Sequence, residues 1–204
     1  MANILCLPQI NMFSDLHFIG GIASVVAYTP FLRYLTAYGC VDASGRSIIK
    51  AINEGKCVGL VPDGIAGIFN ARDATFNNRE VIELRSRKGL ARLALRNGFA
   101  IIPAFSFGNT AILHAWYDPY GIMKWLSRKL RVSLFFLYGR WGLPIPEWVN
   151  VTMSFCRVVH PQKNENPTQE EIDDVHDQLL ESIKETFDRF KAAHGWPDKE
   201  IVFI

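Results

Sequence analysis

Three stretches of the chain carry groups suited to chemistry. Val61-Pro62-Asp63-Gly64-Ile65-Ala66-Gly67 follows an apolar run. Glycines there let backbone N–H groups approach a ligand closely, and Asp63 adds a carboxylate. The same Pro, Asp and Gly also make an ordinary turn. Arg85, Arg87 and Lys88, continued by Arg92 and Arg96, place cations at the start of a helical pattern. The helix macrodipole favours carboxylates at that end, so this placement hints at an anionic partner. The plainer reading is a solvated helix face. Between Pro119 and Arg140, Lys124, Arg128, Lys129, Arg131 and Arg140 meet no acid and are interleaved with Trp125, Phe135, Phe136 and Tyr138. Cations among aromatics suit an anionic membrane surface. Nucleic-acid proteins use similar composition. No RNP, zinc or helix-turn-helix pattern accompanies it, and the pI of about 8.4 is below their usual range, so no nucleic-acid partner is expected.

Histidine and cysteine offer less. None of the 5 histidines (His17, His114, His160, His176, His194) stands at a metal-binding or catalytic spacing, and no G-x-S-x-G elbow or phosphate loop occurs. No catalytic residue and no metal ligand is therefore assigned. His17 reads as a core or interfacial residue, and His176 and His194 as surface residues of an acidic helix. The 4 cysteines sit among apolar neighbours outside any C-x-x-C pair, which predicts buried, reduced thiols.

The elements that must position these groups alternate between strand and helix signals. Leu16–Tyr38 reads as one helix kinked near Pro30, and Ser44 as the N-cap of a short helix through Asn53. Lys56–Val61 and Phe99–Phe105 read as buried strands, and Arg79–Leu84, Ala111–Tyr117 and Val132–Tyr138 as further candidates. Ser86–Asn97 reads as a helix stopped by Gly98. Val149, Val151, Met153 and Phe155 alternate as in a half-buried strand. Thr168 and Glu171 form a capping-box pattern, and Ile172, Val175, Leu179, Ile183, Phe187 and Phe190 then step by three and four up to Gly195. Strands separated by helices predict an α/β fold with a mostly parallel sheet flanked by helices. Ligands in such folds sit beyond the carboxyl ends of the strands, here at Pro62–Gly64 and at Pro103–Gly108.

The 204 residues are 49% hydrophobic, ample for a packed core and incompatible with a disordered chain. The net charge of +2 conceals a division. Residues 1–163 hold 18 Lys/Arg against 9 Asp/Glu, whereas residues 164–204 hold 4 against 11. Mean hydropathy of +0.08 is far below that of a bundle of membrane spans. Leu16–Leu35 is the longest apolar stretch, but Pro30 and Arg33 break it short of the roughly 18–20 residues a spanning helix needs. No secretory leader is read at Met1–Phe13.

Taken in order, several blocks resemble the type-2 diacylglycerol acyltransferase family, which includes monoacylglycerol and wax-ester acyltransferases. They are Tyr28-Thr29-Pro30-Phe31-Leu32-Arg33, Gly39-Cys40-Val41-Asp42-Ala43-Ser44, Val61–Ala66, Leu84–Arg96, Ile102-Pro103-Ala104-Phe105-Ser106-Phe107-Gly108 and Trp141-Gly142-Leu143-Pro144-Ile145-Pro146. Pro167–Pro197 is similar to the family's C-terminal helix, so the resemblance covers about Gly21 to Ile204.

The resemblance implies a glycerolipid-acyltransferase-like, membrane-associated domain over residues 1–204, with residues 168–194 as its acidic amphipathic helix. It implies transfer of a fatty acyl group from acyl-CoA, a co-substrate with no further cofactor, to diacylglycerol or a similar acceptor hydroxyl. The expected location is the cytosolic face of the endoplasmic reticulum membrane and lipid droplets. Arg33, Pro62, Asp63, Gly64, Arg85, Arg87 and Lys88 are expected to line the site, with Arg33 and Arg85–Lys88 holding CoA phosphates. Two departures stand out. The family's His-Pro-His-Gly motif, which carries its catalytic histidine, is absent, and Met1 falls shortly after the place where it is expected. The family's Pro-Gly-Gly loop reads Pro62-Asp63-Gly64 here, with Gly67 where a Glu belongs. An N-terminally incomplete chain or truncated isoform of an acyltransferase is therefore expected, or else an inactive lipid-binding or regulatory relative.

Overall fold

The computed structural model describes residues 17–22, 40–62, 78–115, 122, 125, 129, 137–143 and 145–204. The chain divides into two compact units, residues 1–62 with 129–132 and residues 63–128 with 133–204. In the first, β1 (Phe18–Ile22) lies between β2 (Val41–Asp42) and β3 (Cys57–Gly59), and both neighbours run parallel to it. The helix expected over Leu16–Tyr38 is thus a strand at Phe18–Ile22; His17 just before it is exposed rather than in the core, and the rest of that range lies outside the described residues. The Gly20-Gly21 pair accounts for the difference. Glycine weakens a helix by about 1 kcal/mol per residue, and it allows close approach between strands. Gly20 faces Gly59 across the pairing, and a Cβ on Gly21 would overlap the Leu60 side chain.

Helix α1 (Gly45–Asn53) buries Ile48 and Ala51 and leads from β2 to β3. Ser44 holds the expected N-cap position with extended backbone, but its hydroxyl bonds the Ser47 hydroxyl at 3.1 Å instead of a backbone N–H.

The second unit contains β4 (Arg79–Ile82), α2 (Gly89–Asn97), β5 (Ala104–Phe107), β6 (His114–Ala115), β7 (Leu137–Tyr138), β8 (Thr152–Phe155), α3 (Gln169–Phe190) and β9 (Glu200–Phe203). β4 pairs in parallel with β9, while β5–β8 and β6–β7 are antiparallel. The chain is α/β as expected. Its described strands, however, form small sheets of two and three strands rather than one mostly parallel sheet. β9 escaped the sequence reading. Among the described residues no helix is long and apolar enough to cross a membrane.

The core of this unit sits where α2 and α3 meet the strands. Ala91, Ala94 and Leu95 face Ile172, Val175, Leu179, Ile183 and Phe187, with Phe105, Phe107, Cys156 and Val159 in the same cluster. Small alanines on α2 let the two helices approach closely. The capping box of α3 forms as expected: Thr168 Oγ1 accepts from the Glu171 N–H at 3.2 Å, and the Glu171 carboxylate accepts from the Thr168 N–H at 2.7 Å. The helix ends at Phe190, short of the expected Gly195, which instead closes a following turn with φ +85°. Gly98 takes the left-handed conformation that ends α2, with its N–H bonded to the Ala94 carbonyl at 2.7 Å. β8 forms within the expected run, but it is not the half-buried strand that the alternation predicts. Val151, Thr152, Met153 and Phe155 are all exposed, and Cys156 just beyond them is buried.

Candidate functional site

The basic cluster occupies the turn between β4 and α2. Leu84, 2% exposed, plugs into the core and anchors this turn. The Arg85 N–H donates to the Ile204 carbonyl at 3.1 Å, and the Arg87 N–H to the Leu84 carbonyl at 2.9 Å. α2 therefore begins at Gly89, later than the expected Ser86, because the preceding residues are already satisfied as a turn. Lys88 stands at its N-cap without a side-chain cap, and its first turn holds no acid. The helix start thus presents uncapped backbone N–H groups together with Arg85 and Arg92, both exposed. Among the described residues neither of these guanidinium groups has an ion-pair partner within 4.0 Å. Such a set of N–H donors and cations suits an anion.

The structure brings Arg85, Arg87 and Lys88 together in this one turn. Arg87 lies 3.6 Å from Glu83, and Lys88 Nζ bonds Asp173 of α3 at 2.7 Å. Hydrogen bonding from Lys88 holds the Asp173 carboxyl below the usual range. Both partners are more than a third exposed, so the pair contributes only about 0–1 kcal/mol. Pro62 is exposed near the end of β3 in the other unit. Arg33, Asp63 and Gly64 lie outside the described residues.

His176 corrects the sequence reading. It is 1% exposed rather than on the surface, and neither ring nitrogen has a hydrogen-bond partner. Burial is the main cause holding its pKa below the ordinary value, and Lys88 adds to this; the nearby backbone of Arg85 and Leu84 and the Asp177 carboxylate oppose it. A neutral imidazole thus packs behind the basic turn. The signal was present in the spacing, since position 176 is four residues from Ile172 and three from Leu179, within the apolar stripe.

The sign of the consequence follows from the lowered pKa. The unfolded state takes up a proton near pH 6.5 that the folded state refuses, so stability is full above that pH and falls below it. Unfolding free energy measured between pH 8 and 5 should therefore decline on acidification, by at most about 1.4 kcal/mol per pH unit from this group. The His176→Leu variant should flatten that decline, and an unchanged slope would remove His176 as its source.

A second place of interest is a cavity of about 570 Å³ lined by Gly108, Val149, Asn150, Thr152, His194 and Trp196, among others. Gly108 has φ +80°, and a Cβ there would overlap the Asn150 carbonyl oxygen. The His194 ring stands edge-on to Trp196 at 4.6 Å between centroids and 5.4 Å from Phe107. Sequence reasoning had pointed to Gly108 as the end of the strand region, but not to its company.

A mixed α/β chain whose cations gather at an uncapped helix start has a geometry suited to an anionic group. Comparison with known proteins narrows the class. The chain belongs to the diacylglycerol acyltransferase family, whose model matches residues 11–204. It is 28% identical to diacylglycerol O-acyltransferase 2 of Homo sapiens over 86% of this chain and 48% of that protein. It is 27% identical to 2-acylglycerol O-acyltransferase 1 of Mus musculus over 83% of this chain and 53% of that protein. It is 26% identical to acyl-CoA wax alcohol acyltransferase 2 of Mus musculus over 87% and 56% respectively. The chain spans about half the length of the curated relatives it matches. No solved structure matches it.

Proposed function

We propose that the chain acts in triacylglycerol synthesis as an O-acyltransferase, moving a fatty acyl group from acyl-CoA to diacylglycerol or a similar acceptor hydroxyl. The observation that carries this reading is the uncapped start of α2 with Arg85, Arg87 and Lys88 around it, in a chain of this family. In the reaction the acceptor oxygen attacks the thioester carbonyl carbon, the carbon–sulfur bond breaks, and the hydroxyl proton passes through a base to the departing CoA thiolate. Arg85, Arg87 and Lys88 hold CoA phosphates; roles for Arg33, Pro62, Asp63 and Gly64 in binding the substrates rest on the family resemblance alone. Acyl-CoA is a co-substrate, and no other cofactor takes part. The fold is glycerolipid-acyltransferase-like and membrane-associated, acting at the cytosolic face of the endoplasmic reticulum and on lipid droplets. The parallel pairings about β1 and between β4 and β9 bear only on the α/β part of this reading.

The test is a microsomal assay with labelled acyl-CoA and diacylglycerol. Labelled triacylglycerol is expected. A charge-assisted hydrogen bond contributes about 1.5–3 kcal/mol, so the Arg85→Gln/Lys88→Gln variant should raise KM for acyl-CoA about ten-fold or more with kcat little changed. An unchanged KM would take these two residues out of the site. Acyl-CoA binding without any labelled product would favour a lipid-binding relative instead.

A further inference from the structure

The segment between β7 and β8 carries the two most exposed large apolar side chains among the described residues, Trp148 at 84% and Trp141 at 77%. They are not stray. The Arg140 guanidinium lies between them, its Cζ 4.6 Å from the Trp141 ring centroid and 4.9 Å from that of Trp148. The backbone beneath is tightly tied. The Gly139 N–H bonds the Leu143 carbonyl at 2.7 Å, the Arg140 N–H bonds the Ile145 carbonyl at 2.9 Å, and the Glu147 N–H bonds the Ile112 carbonyl at 2.8 Å. Trp141 itself is held at φ +57°, a left-handed conformation costly for a residue with a side chain. Gly139 has no alternative, because a Cβ there would overlap the Ile145 carbonyl oxygen. The chain thus accepts an unfavourable backbone to hold two indoles in water around one cation.

The arch itself carries two charged residues, Arg140 at ring level and Glu147 beside Trp148. In the sequence before it, after Asp118, every charged residue is a cation: Lys124, Arg128, Lys129 and Arg131. Exposed indoles with a guanidinium at ring level match the boundary between acyl chains and headgroups, where tryptophan is enriched and anionic phosphates pair with arginine. We infer that Trp141, Arg140 and Trp148 form an interfacial anchor that docks the protein on an anionic lipid surface, the indoles entering the headgroup layer. The inference rests on the acyl-transfer reading only for preferring a lipid to an acidic protein surface.

Co-sedimentation of the full chain with phosphatidylcholine vesicles, with and without phosphatidylserine, tests it. Binding to the anionic vesicles is expected. The Trp141→Ala/Trp148→Ala variant should bind at least ten-fold more weakly while keeping the wild-type thermal melt, and Arg140→Gln should bind about five-fold more weakly. Wild-type binding by the double variant, or no binding of the wild-type chain to either vesicle, would overturn the anchor. Transfer measured in detergent micelles separates the two readings. Transfer retained by the double variant leaves the acyl-transfer reading standing whatever the vesicles show, and transfer absent from a wild-type chain that still docks defeats that reading alone.

Discussion

Replacing Phe107 by alanine is expected to lower the stability of the second unit by about 3–5 kcal/mol. The side chain is completely buried and meets Phe187 nearly face to face, with centroids 5.8 Å apart and planes 9° from parallel. Phe105 packs edge-on at 4.7 Å, and Trp196 lies at 5.8 Å. Such a cluster has no flexible neighbour to fill the space, so the transfer loss and the cavity loss add. A domain is stable by only about 5–15 kcal/mol in total. Because Phe107 packs against His194, which lines the cavity beside Gly108, the support of that lining should loosen. Chemical denaturation of the variant checks this; a loss below about 1 kcal/mol would mean that the site collapses without cost.

The second large effect concerns Glu80 and Lys199. Their carboxylate and ammonium groups meet at 2.7 Å, with side chains 7% and 15% exposed. Thr110 approaches the same carboxylate at 3.4 Å, and Lys199 Nζ lies 3.7 Å from the centroid of the Trp196 ring. Lys199→Met leaves the Glu80 carboxylate buried without its counter-charge, which costs about 3–5 kcal/mol. The Glu80→Met/Lys199→Met double variant removes both charges and should recover most of that loss. Denaturation of the three proteins in parallel separates the outcomes. A double variant as unstable as the single one would show that the cost came from lost packing rather than from an orphaned charge.

What could be read in the sequence depended on the length of each pattern. α3 was legible because its apolar stripe repeats through residues 172–187 and its capping box stands at the start. The same stripe contained His176, Ser182 and Thr186, all buried, and reading residue type ahead of position put His176 on the surface. Polar groups in the stripe are satisfied where they can be: Ser182 Oγ donates to the Arg157 carbonyl at 2.8 Å, and Thr186 Oγ1 to the Ser182 carbonyl at 3.0 Å. β1 was misread because an apolar run without alternation fits a buried parallel strand and a buried helix equally. Only the glycine pair spoke for the strand. β9 is four residues long, and its partner lies more than a hundred residues earlier, a pairing no local pattern encodes. On β8 the position was right but not the burial, since alternation in sequence does not say which face, if either, meets the core.

The site was legible to a similar degree. Arg85, Arg87 and Lys88 stand in one turn, close in sequence and in space. Asp173 and His176, which pack behind that turn, come from α3, some ninety residues later, and only the folded chain joins them.

The bond from the Arg85 N–H to the Ile204 carbonyl, together with the β4–β9 pairing, gives this turn a history as well as a shape. During synthesis the basic residues leave the ribosome long before residues 200–204 exist. Contacts this distant in sequence form late, since the intervening chain must be ordered first. Until then β4 lacks its parallel neighbour, and the cations that later gather at the start of α2 are unplaced. The final form of this basic turn therefore waits on the strand that trails it by more than a hundred residues.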